Sequence, residues 1–192
     1  MTGFQALATG IAEHESTLER DYVTLCAFAD PKAVVTSQPV TIRFQHEDRS
    51  RRYTPDFRVD WSDGRCDVVE IKYRTDLKAD WSRLRPAFAA ARCWAGEHGA
   101  RFQVVTERGI RSPRLDTIKR LLPLRNAPVD AALAERAVAL ARGPGIGFGS
   151  LADTLPAARE AGLALIWRLI ARGVLTVDLS SPVIASTWVT AP

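Results

Sequence analysis

The sequence predicts an α/β protein: a central mixed sheet flanked by helices over residues 1–126, then a small winged-helix unit over residues 127–192. Three observations predict it. Apolar residues alternate over short runs at 40–44, 51–60, 66–73 and 102–105, as in strands with one buried face. A long helical stripe separates the third run from the fourth. After the stretch from Pro123 to Pro128 the chain becomes rich in alanine and leucine and changes character.

Taken in order, Leu18, Tyr22, Leu25 and then Cys26 or Ala29 recur at helical spacing, which predicts a helix over about 16–28. Val40-Thr41-Ile42-Arg43-Phe44 alternates as a strand. In residues 51–60, Tyr53, Phe57 and Val59 share one face, and Thr54, Asp56, Arg58 and Asp60 the other. Residues 76–98 form a helix with Leu77, Trp81, Leu84, Phe88 and Ala91 along its apolar stripe, and Pro86 predicts a kink or a break there. Residues 102–105 give a strand between Gly99 and Gly109.

In the second unit, residues 131–141 predict a helix. It is stopped by a glycine-rich run, 143–149, that reads as a linker because it lacks the lysine and serine of a phosphate loop. A short helix at 150–153 and a longer one at 157–171 follow. A strand at 174–179 comes next, with 187–189 able to pair with it. Helices followed by a two-strand ribbon describe a winged helix. Its recognition helix carries only Arg159, Arg168 and Arg172, so it suits a protein contact as well as a DNA contact.

Composition excludes several classes. Hydrophobic residues at 46% and charged residues at 25% describe an ordinary soluble chain, and no apolar run reaches the length of a membrane span. The amino terminus has no signal-peptide layout, and Cys26, Cys66 and Cys93 are isolated, which together predict a reduced, cytoplasmic protein. His14, His46 and His98 lack ligand spacing, so no structural zinc is expected. The whole net charge of +4 falls in residues 1–126. It includes two basic clusters: Arg51 and Arg52 with Arg49, and a run from Arg101 to Arg125 that contains Arg111 and Arg114. Either cluster is a solvated face or a phosphate-binding rim.

The chemistry concentrates on one hairpin. Trp61-Ser62-Asp63-Gly64-Arg65 reads as a tight turn between the run holding Asp56 and the run holding Glu70, Ile71 and Lys72. A three-residue loop with Gly64 in the left-handed conformation pairs Trp61 with Arg65 and sets Asp56 opposite Glu70. A two-residue loop would put the acids on opposite faces. The three-residue loop is favoured. Opposed carboxylates repel unless a cation lies between them, and Lys72 shares the face of Glu70. Two acids holding a divalent cation, with a lysine beside the water it activates, suit phosphodiester hydrolysis. Upstream, Ser16 with Glu19 three residues on has the pattern of a capping box, and Glu19 is also placed to serve as a third ligand. The two roles compete.

The series Ser16-x-x-Glu19, Gln38-Pro39-Val40, Arg52-Tyr53-Thr54-Pro55-Asp56-Phe57 and Val69-Glu70-Ile71-Lys72 resembles the TnsA family over roughly residues 10–110. Those proteins are endonuclease subunits of heteromeric cut-and-paste transposases, with the PD-(D/E)xK restriction-endonuclease-like fold. The resemblance implies Glu19, Asp56 and Glu70 as metal ligands, with the Ile71 carbonyl beside them, and Lys72 as catalytic lysine. The cation would be Mg2+, with Mn2+ able to substitute. Gln38 matches a recurrent residue near the site, and Arg51, Arg52, Arg111 and Arg114 are the expected DNA contacts. The implied partners are DNA, a separate DDE-type transposase subunit and an ATPase regulator; no membrane is involved. A standalone nuclease of the same fold in restriction, defence or repair is the alternative, and a non-catalytic binding module is the third reading.

Overall fold

A β-hairpin opens the chain: β1 (Gly3–Leu7) pairs with β2 (Gly10–His14), and both precede helix α1 (Thr17–Ala29). The computed structural model describes residues 2–192 and divides them into two compact units, one ending at Arg111 and the other Ser112–Pro192.

The first unit is built on a four-stranded sheet of order β3-β6-β7-β8, formed by Val34–Ser37, Phe57–Asp60, Cys66–Ile71 and Arg101–Val105. The β3–β6 and β6–β7 pairs are antiparallel, and β7–β8 is parallel, so the sheet is mixed. The parallel pair needs a crossover, supplied by α2 (Arg74–Ala79) and α3 (Trp81–Glu97). On one face Val68 and Phe102 meet Leu84, Phe88, Ala91 and Ala95 of α3. On the other, Phe57 stacks on Tyr22 of α1 with ring centroids 6.1 Å apart. Strand β7 is covered on both sides, which is why Val68-Val69-Glu70-Ile71 is so apolar. A short helix, α4 (Glu107–Ile110), follows β8.

Two readings from the sequence need correction here. Residues 51–60 are not one strand. The run breaks at Pro55, which has no N–H to give a ladder. Arg49–Tyr53 forms β5 and pairs with β4 (Ile42–His46), while β6 begins only at Phe57 and joins the central sheet. Tyr53 therefore packs beside Val68 on the α3 face rather than sharing a face with Phe57. The helix expected over 76–98 divides at Asp80, into α2 and α3, and Pro86 is accommodated inside α3.

The second unit holds α5 (Pro113–Leu121), a single 3-10 turn, α6 (Ala131–Ala141), α7 (Phe148–Thr154) and α8 (Arg159–Ala171). Three short strands, β9 (Ile146–Gly147), β10 (Thr176–Val177) and β11 (Trp188–Thr190), make an antiparallel sheet of order β10-β11-β9. The strand expected over 174–179 is thus confined to two residues. The glycine-rich run is not a linker: it contributes β9. Gly145 at φ +81° lies so close to β11 that a Cβ would sit 2.7 Å from the Val189 carbonyl oxygen. Glycine is required there for both reasons. Inside α5, Leu115, Ile118 and Leu121 are buried at helical spacing among its arginines.

Candidate functional site

The turn after β6 decides the site. Trp61 N–H donates to the Arg65 carbonyl at 2.9 Å and Gly64 N–H to the Trp61 carbonyl at 3.0 Å, with Gly64 at φ +87°. This is the three-residue loop. It fixes Phe57 opposite Val69 and Asp60 opposite Cys66, so Asp56 falls opposite Glu70 one step beyond the ladder.

Each carboxylate is held by the backbone or by a neighbouring ring. Asp56 Oδ2 accepts from Ile71 N–H at 2.6 Å, and the Asp56 carbonyl accepts from Gln38 N–H at 2.8 Å. Glu70 is 3% exposed; one oxygen accepts from the Tyr53 hydroxyl at 2.6 Å, and the other lies 3.2 Å from Lys72 Nζ. Burial pushes the Asp56 carboxyl up to about 7, and the facing Glu70 charge pushes the same way; Ile71 N–H and Lys72 oppose them, and Glu19 adds a smaller upward push. Burial alone would lower the Lys72 ammonium, but Glu70, Asp56 and Glu19 together hold it above its ordinary value. The result is a compact cluster: two facing carboxyl groups, with one ammonium 3.2 Å from Glu70.

Glu19 occupies the capping position. Ser16 Oγ accepts from Glu19 N–H at 3.1 Å, while the Glu19 carboxylate accepts from Ser16 Oγ at 2.8 Å and from Glu15 N–H at 2.7 Å. Both oxygens are therefore engaged at the start of α1, although its charge still reaches Asp56. Among the described residues, no three His, Cys, Asp or Glu side chains are gathered closely enough to hold a metal ion. The donors assembled across the strands are Asp56 and Glu70. Hard oxygen atoms facing each other in a half-buried cleft fit a hard divalent cation, which would relieve their mutual repulsion.

Gln38 connects these parts. It sits at φ +46°, extends the β3–β6 pairing to Asp56, and donates from Nε2 to Glu15 Oε1 at 2.9 Å. Through Glu15 it reaches the Glu19 cap.

The four arginines named from the sequence divide. Arg51 is ion-paired with Glu47 at 3.3 Å. Arg52 is exposed on the β4–β5 ribbon, directly opposite exposed Arg43, a like-charge pair that an anion between the strands would relieve. Arg111 turns inward: Nε is 3.6 Å from buried Asp21, a second nitrogen donates to Thr17 Oγ1 at 2.9 Å, and the guanidinium lies over the Tyr73 ring. It ties α1 to the segment that follows Lys72, and so positions Glu19. Arg114 is exposed in the first turn of α5, in the second unit. The residue missed from sequence is Tyr53. Its ring reads as core, and only its place three residues before Asp56 hinted at its hydrogen bond to Glu70.

The comparisons with known proteins agree with this geometry over part of the chain. Residues 34–107 match the family model described as TnsA-like endonuclease N terminal, so the resemblance carried by the sequence signatures is borne out there. That span runs from β3 into α4 and contains Gln38, Asp56, Glu70 and Lys72; Glu19 and the second unit lie outside it. No curated protein matches the chain.

Proposed function

We propose that the protein is a divalent-cation-dependent DNA endonuclease that hydrolyses one strand at transposon ends, as one subunit of a heteromeric transposase. The facing of half-buried Asp56 and buried Glu70, with Lys72 3.2 Å from Glu70, is the observation that carries this reading. Asp56, Glu70 and the Ile71 carbonyl would hold Mg2+, with Mn2+ as a substitute. A bound cation of this kind supplies Lewis-acid polarisation of the phosphate and a water of lowered pKa. Lys72 places a positive charge where the scissile phosphate gains negative charge. Tyr53 fixes the rotamer of Glu70, and Ile71 N–H fixes that of Asp56. Glu19 caps α1 and would have to release Ser16 and Glu15 to reach the cation itself.

The second unit is read as a winged helix with α8 as its third helix. The arginines of α8 are committed within that unit: Arg159 to Asp153, Arg168 to the Pro128 carbonyl, and Arg172 to the Arg125 and Ala127 carbonyls. This favours contact with a partner subunit over reading of DNA sequence. It also supports a nuclease that is weak alone and active with a DDE-type transposase subunit, and an ATPase regulator is a second protein that this unit could meet.

Cleavage of end-containing DNA in Mg2+ tests the reading, with and without the transposase subunit. Lys72→Ala should lose about a hundredfold in rate with the fold intact, the scale of a preorganised electrostatic contact. Activity within a few-fold of wild type would return Lys72 to an ordinary strand lysine. Efficient cleavage by the lone protein would favour the standalone nuclease.

A further inference from the structure

A second feature lies beside this cluster, at the carboxyl end of the parallel β7–β8 pair. Ile71 pairs with Val105 there, and Lys72 N–H donates to the Val105 carbonyl at 3.1 Å. The chain leaves β7 through Lys72 into Arg74 and leaves β8 through Thr106 into Arg108. Between these exits is an open groove of about 590 Å³, lined by Arg74, Leu77, Lys78, Trp81, Thr106 and Arg108. Among the described residues no acidic side chain lines it; the neighbouring Glu107 carboxylate accepts from the Arg74 backbone N–H at 3.0 Å. None of the side chains of Arg74, Lys78 and Arg108 has a hydrogen-bond or ion-pair partner among the described residues. Trp81 is 52% exposed, and its ring is braced at 6.4 Å by Phe88, the two planes inclined at 66°.

An exposed indole held by the core on one side, inside a rim of three unpaired cations, suits a flat aromatic group attached to a polyanion. In nucleic acid that is a base whose face is free. A continuous duplex hides its internal base faces in the stack, so away from a duplex end the indole meets a free base face where strands are unpaired. We infer that this groove holds an unpaired stretch of DNA, with one base against Trp81 and the neighbouring phosphates on Arg74, Lys78 and Arg108. The inference rests on the nuclease reading for its placement: one wall of the groove continues from β7, which carries Glu70 and leads into Lys72, and the other from its partner β8, so the unpaired stretch adjoins the phosphate to be cut. It goes beyond that reading by naming the form of DNA that the site selects.

The test is fluorescence-anisotropy binding by the full chain, in EDTA so that no cleavage occurs. It compares a blunt duplex with the same duplex bearing a single-stranded overhang. Wild type should bind the overhang substrate about tenfold more tightly, the scale of one stacked base. In Trp81→Ala and Trp81→Leu that ratio should fall to near one, the leucine variant keeping apolar bulk without a stacking plane. Thermal melts alongside show that both variants fold. Arg74→Ala and Arg108→Ala should each reduce the slope of log affinity against log salt by about one.

A wild-type ratio of one, or a ratio that survives in Trp81→Leu, overturns the inference. Failure of the nuclease reading looks different: the Trp81-dependent ratio would remain while Lys72-dependent cleavage in Mg2+ is absent. Loss of the inference alone leaves that cleavage present with no preference for the overhang.

Discussion

The arginines around α8 in the second unit and those of the β4–β5 ribbon and the groove in the first are used in opposite ways. In the second, the arginines of α8 are absorbed locally, satisfying Asp153 and the carbonyls of Arg125, Ala127 and Pro128. In the first, two carboxylates face each other between β7 and the residue before β6, and several cations of the same unit have no side-chain partner among the described residues: Arg43 and Arg52 on the ribbon, and Arg74, Lys78 and Arg108 on the groove. A charge that closes a hydrogen bond at a helix end stabilises the fold. A charge left open to solvent and facing its like adds no such stability and is free to take an anion. The net charge of +4 says little by itself; the arrangement separates arginines left open on the ribbon and the groove from arginines closed onto carbonyls and a carboxylate around α8.

That difference can be broken by substitution. The largest effect is expected at Asp56. Asp56→Asn should reduce cleavage by about a hundredfold or more, since it removes one of two anionic donors at the centre. Its melting temperature in the absence of metal should stay level or rise, because a repelling buried charge is gone while an acceptor for Ile71 N–H is retained. A lowered melting temperature with unchanged cleavage would make the acid pair structural.

Arg111→Ala removes the inward ties to Asp21, Thr17 and Tyr73, and should destabilise the protein by about 1–2 kcal/mol in urea unfolding. The pair is partly exposed, and that figure is discounted for it. Cleavage should fall further than the stability loss explains, because α1 carries Glu19. An activity loss that follows the unfolded fraction alone would reduce Arg111 to a packing role. On the other side of the comparison, Arg172→Ala should cost less, about 0.5–1 kcal/mol, because water can replace the guanidinium in these exposed hydrogen bonds to the Arg125 and Ala127 carbonyls. It should leave blunt-duplex affinity unchanged; a loss of affinity there would show that the second unit also reads DNA.

Smaller still is Glu19→Gln. Glutamine serves a capping box, so stability should change by less than about 0.5 kcal/mol. Rate is the informative quantity: an unchanged rate assigns Glu19 to the cap alone, and a sharp loss assigns it to the acidic set.

Much of this was legible in the sequence, for local reasons. The loop Ser62-Asp63-Gly64 has one glycine at the position that needs positive φ, and that single residue sets the register of Asp56 on Glu70. Ser16 with Glu19 announced the start of α1. What escaped depended on tertiary context. Tyr53 reads as one more apolar residue until its hydroxyl is seen on Glu70. Pro55 interrupts a run whose alternation alone gave no sign of a change of sheet. In α5 the arginines drew notice away from Leu115, Ile118 and Leu121, whose spacing marks a buried helix. The hairpin of β1 and β2 was missed because Phe4 and Ile11 are exposed, so its apolar pattern does not mark a buried face.

The central claim is that the facing carboxylates of Asp56, just before β6, and Glu70, on β7, bind a divalent cation. Calorimetric titration of Mn2+ or Mg2+ into the full chain, wild type against Asp56→Ala, tests it most directly. The account predicts cation binding by wild type, with a raised melting temperature, and none by Asp56→Ala. Equal binding by both proteins would remove the metal site from this hairpin.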